Sequence, residues 1–200
     1  MKVRTNLVRL VASAAIASIP AASAFAAPPT PGGSQAGGNA QVEQANCVYD
    51  QLSDASVLAM VDTYLQQDAT GKPDVEKAMA VAYKTCVAKY GWKTDRSDLA
   101  GEVALQAAVI DVVMQDMVDD GLKDDGVILK IWDKLAEADV DRLLDDGWDK
   151  DSALSARLRK ALVDGGVPDK GDMLKNGVIV LVAASRESAA MDRWLHGDKP

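Results

Sequence analysis

The chain has 200 residues, of which 48% are apolar, 4% aromatic and 26% charged, and its formal net charge is −8. This composition is typical of a globular protein and excludes a collagen-like repeat, wholesale disorder and a polytopic membrane protein. It also limits the available chemistry, because the sequence contains one histidine and two cysteines. Composition by itself therefore limits the range of possible functions but does not identify the function.

The first 26 residues have the pattern of a secretory signal. Basic residues precede an apolar stretch over residues 10–19, which is too short to span a bilayer. Pro20 and the small-x-small sequence Ala24–Ala26 follow. We therefore expect cleavage after Ala26 and a periplasmic or secreted protein. The alternative, a buried first helix, is disfavoured by the prolines at positions 28 and 29.

Removal of residues 1–26 leaves 19 basic against 30 acidic residues, a net charge of −11. A chain this acidic is repelled by nucleic acid and by anionic lipid surfaces. We therefore expect no nucleic-acid partner and, since no long apolar segment follows residue 26, no transmembrane segment in the mature chain. The expected partner is a protein or a small molecule of the cell envelope.

The domain organisation follows from a change in composition. Residues 27–41 are rich in proline and glycine and are predicted to form a flexible linker. Residues 42–200 are enough for one domain of ordinary size. Helical periodicity dominates this part, so the predicted fold is an all-α domain of about six helices with one disulfide.

In chain order, apolar periodicity predicts helices over 54–65, 73–90, 99–117, 127–135, 154–162 and 178–195. Ser53 or Asp54 is expected to cap the first of these, and Gly91 to end the second. The run 177–184 is rich in β-branched residues and is compatible with a buried strand. A single strand has no pairing partner, so we interpret the run as the central buried helix.

A weak internal repeat relates residues 49–62 to residues 132–145, with five identical positions and no gap. If the repeat is real, the units are residues 42–121 and 126–197, each with a short, a middle and a long helix. The alternative is that two acidic amphipathic helices match this well by chance.

Cys47 and Cys86 are the two cysteines, and they lack the spacing of a redox motif. In an oxidising compartment such a pair predicts a structural disulfide. The alternative, a reactive thiol, usually needs a histidine beside it. His196 is far away in the sequence, in the predicted last turn of a helix, where a cation complements the helix dipole.

Acidic side chains are the remaining candidates for chemistry, with 25 Asp and 5 Glu in the chain. Glu102 and Glu137 have apolar neighbours in the sequence and are weak candidates for the raised-pKa acid of a hydrolase. The densest acidic run makes a weak candidate calcium site, although the EF-hand spacing is not met. The run extends from Asp139 to Asp151, and the candidate ligands within it are Asp145, Asp146, Asp149 and Asp151. We therefore predict neither a metal nor another cofactor.

Trp92, Trp148 and Trp194 fall near predicted helix ends and are weak candidates for anchoring a partner. The alternative is that they pack over the core. Because catalytic equipment is scarce, the leading interpretation is a non-enzymatic binding or interaction protein of the envelope. The alternatives are a carboxylate-dependent hydrolase acting on envelope polymers and an acid-stress periplasmic chaperone.

Overall fold

The computed structural model describes residues 34–66 and 71–197, and this part of the chain is all-α, as predicted. None of its helices is long and apolar enough to cross a membrane. A 3₁₀ turn at Trp148–Lys150 precedes the eighth helix. The described residues form no strand, and their nine helices are α1 (Ser34–Ala45), α2 (Cys47–Asp50), α3 (Asp54–Gln66), α4 (Lys72–Tyr90), α5 (Thr94–Asp119), α6 (Val127–Trp132), α7 (Glu137–Leu144), α8 (Ser152–Asp164) and α9 (Met173–His196).

The structure differs from the sequence prediction near the N-terminus. The signal segment, residues 1–26, lies outside the described residues. Residues 34–41 were expected to belong to the linker, but they are helical and form the first part of α1, which begins at Ser34. The end of α1 is held by the core, since Val42 packs against it and the Trp194 Nε1 donates to the Gln41 carbonyl at 3.0 Å. Packing at this end outweighs the poor helix propensity of the glycines.

The predicted helix boundaries are reproduced where capping residues mark them. The Ser53 Oγ accepts a hydrogen bond from the Ser56 N–H at 3.2 Å, as expected of a residue that caps α3. Gly91 ends α4 with φ of 68°, a left-handed conformation that favours glycine. The structure has more than six helices because α1, the one-turn α2 and α7 were not among the predicted helices, and the predicted helix 127–135 ends earlier, at Trp132.

The two longest helices, α5 and α9, form the most extensive helix pair of the described fold. They run antiparallel: Arg193, late in α9, contacts Glu102, early in α5, and Lys170, just before α9, donates to the Asp120 carbonyl at the end of α5. The run 177–184 lies within α9 and is largely buried. The interpretation of this run as the central helix is therefore confirmed.

The shorter helices divide between the two long ones. Helices α2, α3 and α4 contact α5, the long helix that follows them in the chain. In the same way, α6, α7 and α8 contact α9, the long helix that follows them. In the first half the Tyr49 hydroxyl donates to Asp111 of α5 at 2.7 Å. In the second half the Trp132 Nε1 donates to Ser185 of α9 at 3.0 Å. Tyr49 and Trp132 are aligned by the sequence repeat, so the two halves share both helix order and an aromatic contact to the long helix.

The predicted disulfide between Cys47 and Cys86 is confirmed, with the Cα atoms 6.0 Å apart. It joins α2 to α4, and both sulfur-bearing side chains are buried. In the second half the corresponding helices, α6 and α8, meet by close packing, because the Ile131 side chain fills the space that a Cβ on Gly165 would need. The two halves thus hold their short helices together by different means.

Candidate functional site

A cleft of about 690 Å³ opens where α3, α5, α7 and α9 come together. Helices α3 and α5 belong to the first half of the fold, and α7 and α9 to the second. Leucine and alanine side chains form the apolar part of the wall, and charged and amide side chains form the rest. The lining residues are Tyr64, Glu102, Leu105, Gln106, Leu144, Asp146, Arg186, Ala189, Asp192 and Arg193.

Gln106 of α5 is the most buried polar residue of this wall, with 3% of its surface exposed. Its side-chain oxygen, Oε1, is buried and has no hydrogen-bond partner among the described residues. A buried amide oxygen without a donor costs about 1–3 kcal/mol, and such groups are uncommon in folded proteins. Because Gln106 lines the cleft, a turn of its side chain toward the cleft would allow a donor there to remove this cost.

Arg186 of α9 reaches across the cleft to α3, where its Nη1 donates to the Tyr64 hydroxyl at 2.8 Å. It forms no ion pair with a carboxylate of the described chain. Arg96 lies over the Trp194 ring, 4.7 Å from its centroid. The other arginines of the described chain, all bound to carboxylates, are Arg142, Arg157, Arg159 and Arg193. Arg186 therefore keeps a half-buried guanidinium whose partner here is a neutral hydroxyl.

Glu102, one of the two predicted catalytic candidates, does line the cleft. Its Oε2 lies 2.5 Å from Arg193 Nη2, and both side chains are roughly half-buried. The other candidate, Glu137, is exposed in the first turn of α7, where a negative charge complements the helix dipole, and it does not line the cleft. The structure therefore does not bring these two carboxylates together in one site.

The acidic run after α7 is explained largely by capping and ion pairing. Arg142 contacts Asp145 at 2.8 Å and Asp151 at 3.2 Å. Hydrogen bonds from backbone N–H groups at the start of α8, and then the Arg142 guanidinium, lower the pKa of Asp151. Asp149 is exposed in the 3₁₀ turn, and Asp146 is the member of this run that lines the cleft. No group of three or more potential ligand side chains in the described chain is placed to hold a metal ion.

The three tryptophans considered as anchors are at least half-buried. Trp92 and Trp194 meet edge to face with their centroids 5.2 Å apart, and Tyr90 stacks on Trp92 at 5.7 Å. Trp148 is partly buried and packs against the core. His196 is exposed in the last turn of α9, the position expected for it. In this conformation the tryptophans contribute to packing.

Glu187 follows Arg186 in α9 but points into the protein interior, with 3% of its surface exposed. Its Oε2 has no hydrogen-bond partner among the described residues. Burial raises the pKa of this carboxyl from its ordinary value to about 8. Glu187 is therefore mainly protonated at neutral pH, and it is not one of the residues that line the cleft.

Sequence reasoning missed most of the cleft. Gln106 gave one available signal, since it is a polar residue in the apolar stripe of the predicted helix 99–117. Arg186 and Arg193 gave a second signal, because two helical residues that are seven positions apart lie on the same face of the helix. The contact between Arg186 and Tyr64 joins residues 122 positions apart and leaves no local pattern.

Comparison of the chain with protein-family models, with curated proteins and with solved structures finds no match. The geometry and the charges of the cleft, together with the secretory signal predicted from the sequence, are therefore the basis for proposing a function.

Proposed function

We propose that this protein is a non-enzymatic binding protein of the cell envelope and that its cleft holds a small polar ligand. The observation that carries the proposal is the buried, unpartnered Oε1 of Gln106 in a wall that also contains Arg186. Arg186 gains hydrogen bonds if a ligand oxygen occupies the cleft, and the buried Gln106 Oε1 gains one if its side chain turns toward the ligand. The cleft volume also lies within the range of about 300–1,000 Å³ found for small-molecule sites. The envelope location rests on the predicted signal segment.

The arrangement supports binding better than hydrolysis. A glycosidase-like mechanism needs one carboxylic acid that is protonated at the working pH and a second carboxylate across the substrate. Glu102 is held by the Arg193 guanidinium, and Glu137 lies outside the cleft. The acid-stress chaperone is also less well supported, because Glu187 favours the folded state when it is protonated.

Native mass spectrometry of protein purified from the envelope of its own cells tests the proposal. We expect the wild type to carry a bound small molecule that is released on denaturation. The Arg186→Met variant should carry much less of it. Arg159→Met is the matched control, because Arg159 pairs with Asp169 on the exposed surface and does not line the cleft.

A wild-type protein without bound mass calls for a second measurement. Amide chemical shifts of the cleft residues are then followed by NMR during additions of acetate, methylamine, glycine and inorganic phosphate. If none of these probes shifts the amides of Gln106 or Arg186, the proposed binding function is refuted. A bound mass that is equally abundant on the Arg186→Met variant refutes the assignment of the function to this cleft.

A further inference from the structure

We infer that the ligand is a zwitterion of the short-peptide type, with a free carboxylate and a free amino group; this inference rests on the proposed function. The starting point is the charge of the cleft wall, which carries two arginines and three carboxylates. Glu102 and Arg193 offset each other as an ion pair. The wall also carries Arg186 and the exposed Asp146, neither of which forms an ion pair with the described residues, so the cleft presents charges of both signs.

The positive end of the cleft is suited to a carboxylate. Arginine binds carboxylates through two parallel N–H donors, which gives both strength and orientation. Arg186 uses Nη1 toward the Tyr64 oxygen, and no carboxylate of the described chain contacts its remaining N–H groups. Because the Tyr64 hydroxyl accepts from Arg186, its own proton is available to donate to a ligand oxygen. Together these groups make a site with several donors for one anionic group.

The acceptor groups of the cleft are suited to a nitrogen donor. Asp146 is exposed at the cleft and forms no ion pair with the described residues. Gln106 also lines the cleft, and its Oε1, which lacks a donor among the described residues, can accept from an amino or amide N–H of the ligand once the side chain turns toward it. A simple anion would be repelled by Asp146, and a simple cation by Arg186. A ligand that carries both charges avoids both penalties.

The apolar part of the wall favours small aliphatic side chains on the ligand. Leu105, Leu144 and Ala189 supply this surface, and Leu144 is 39% exposed. A single amino acid would leave much of the 690 Å³ unfilled, whereas two or three residues with small side chains use more of it. Trialanine has this chemistry and is the probe that we choose.

Three related peptides test separately whether the protein recognises the carboxylate and the amino group of the ligand. Trialanine carries both charges, N-acetyl-trialanine lacks the amino charge, and trialanine amide lacks the carboxylate. In calorimetric titrations at pH 7 we expect trialanine to bind and each blocked derivative to bind at least about tenfold more weakly, the effect of losing a charge-assisted hydrogen bond.

Variants at Arg186 test whether this arginine binds the carboxylate of the ligand. Arg186→Met should weaken trialanine binding about tenfold or more, and it should not weaken the binding of trialanine amide, whose single positive charge Arg186 repels. Arg186→Lys should recover part of the affinity for trialanine. Arg159→Met should bind all three probes as the wild type does, and circular dichroism should confirm that each variant is folded.

Equal binding of trialanine and its N-acetyl derivative would overturn the inference in favour of an anionic ligand. Equal binding of trialanine and its amide would overturn it in favour of a cationic one. If trialanine does not bind while native protein carries an Arg186-dependent mass, the ligand class is wrong and the proposed binding function stands. If trialanine does not bind, native protein is empty and the small probes leave the cleft amides unshifted, both proposals fail.

Discussion

Replacing the buried Glu187 by glutamine should change how the stability of the protein depends on pH. The folded state raises the pKa of this carboxyl from 4.5 to about 8, because burial disfavours its charged form. Between these values the folded state binds a proton that the unfolded state releases. The stability of the wild type therefore falls as the pH rises through this interval, and the contribution of Glu187 is most favourable below about pH 4.5.

The size of the effect follows from the same two pKa values. Each tenfold change in a protonation equilibrium corresponds to about 1.4 kcal/mol. At pH 7, the unfavourable contribution of Glu187 to the free energy of unfolding is then about 3 kcal/mol relative to pH 4. Glutamine does not titrate, so Glu187→Gln removes this contribution. The stability gained by the variant should rise with pH at up to about 1.4 kcal/mol per pH unit and level off above pH 8.

Urea unfolding of both proteins, followed by circular dichroism at several pH values between 4 and 8, measures this difference. The informative quantity is the change of the difference with pH, since a constant offset includes any packing cost of the new amide. Glu137→Gln is the matched control, because Glu137 is exposed on α7, and its difference from the wild type should stay nearly constant. A constant difference for Glu187→Gln as well would show that this carboxyl titrates normally in the folded protein.

Three further predictions concern the packing of the fold. Replacing Cys47 and Cys86 together by alanine should lower the free energy of unfolding by up to about 4 kcal/mol in urea titrations, the chain-entropy value for this separation; an unchanged urea midpoint would contradict it. Gly101→Ala should lower it by about 1–3 kcal/mol, because the added Cβ would collide with the Tyr83 hydroxyl, and Tyr83→Phe in the same chain should restore part of the loss. If Tyr83→Phe restores nothing, the collision is not the cause. Leu143→Ala should cost about 2–5 kcal/mol, since this side chain is fully buried, and a cost below 1 kcal/mol in thermal unfolding would show that the site is more open than described.

The helices were predictable because local physics determines them. The apolar positions of α5 and α8 recur at helical spacing, and glycines mark the points where the chain leaves a helix. The predicted helix 127–135 is three residues longer than α6 because apolar spacing continues through Leu135, whereas Ala136 takes an extended backbone conformation just before α7 begins. Periodicity identifies which face is apolar and does not register a short interruption of the backbone.

The cleft was much less predictable because tertiary contacts create it. Glu102 was selected for its apolar neighbours, and its partner Arg193 lies 91 positions away. Glu187 stands between Arg186 and Ser188, in a local sequence typical of an exposed helix face, yet it is buried. The way α9 packs against α5 decides that Arg186 faces the cleft and that the adjacent Glu187 faces the interior. Local sequence patterns do not reveal how the two helices pack against each other.

The position of α9 in the chain has a consequence for how the molecule reaches its final form. Helices α6, α7 and α8 bury their apolar faces against α9, and α5 makes its largest contact with it. Helices α6, α7 and α8 therefore lack their main packing surface, and α5 lacks its largest partner, until residues 173–196 are present. We expect the second half of the growing chain to remain loosely structured until that late stage, which would suit the export that the pattern of residues 1–26 predicts.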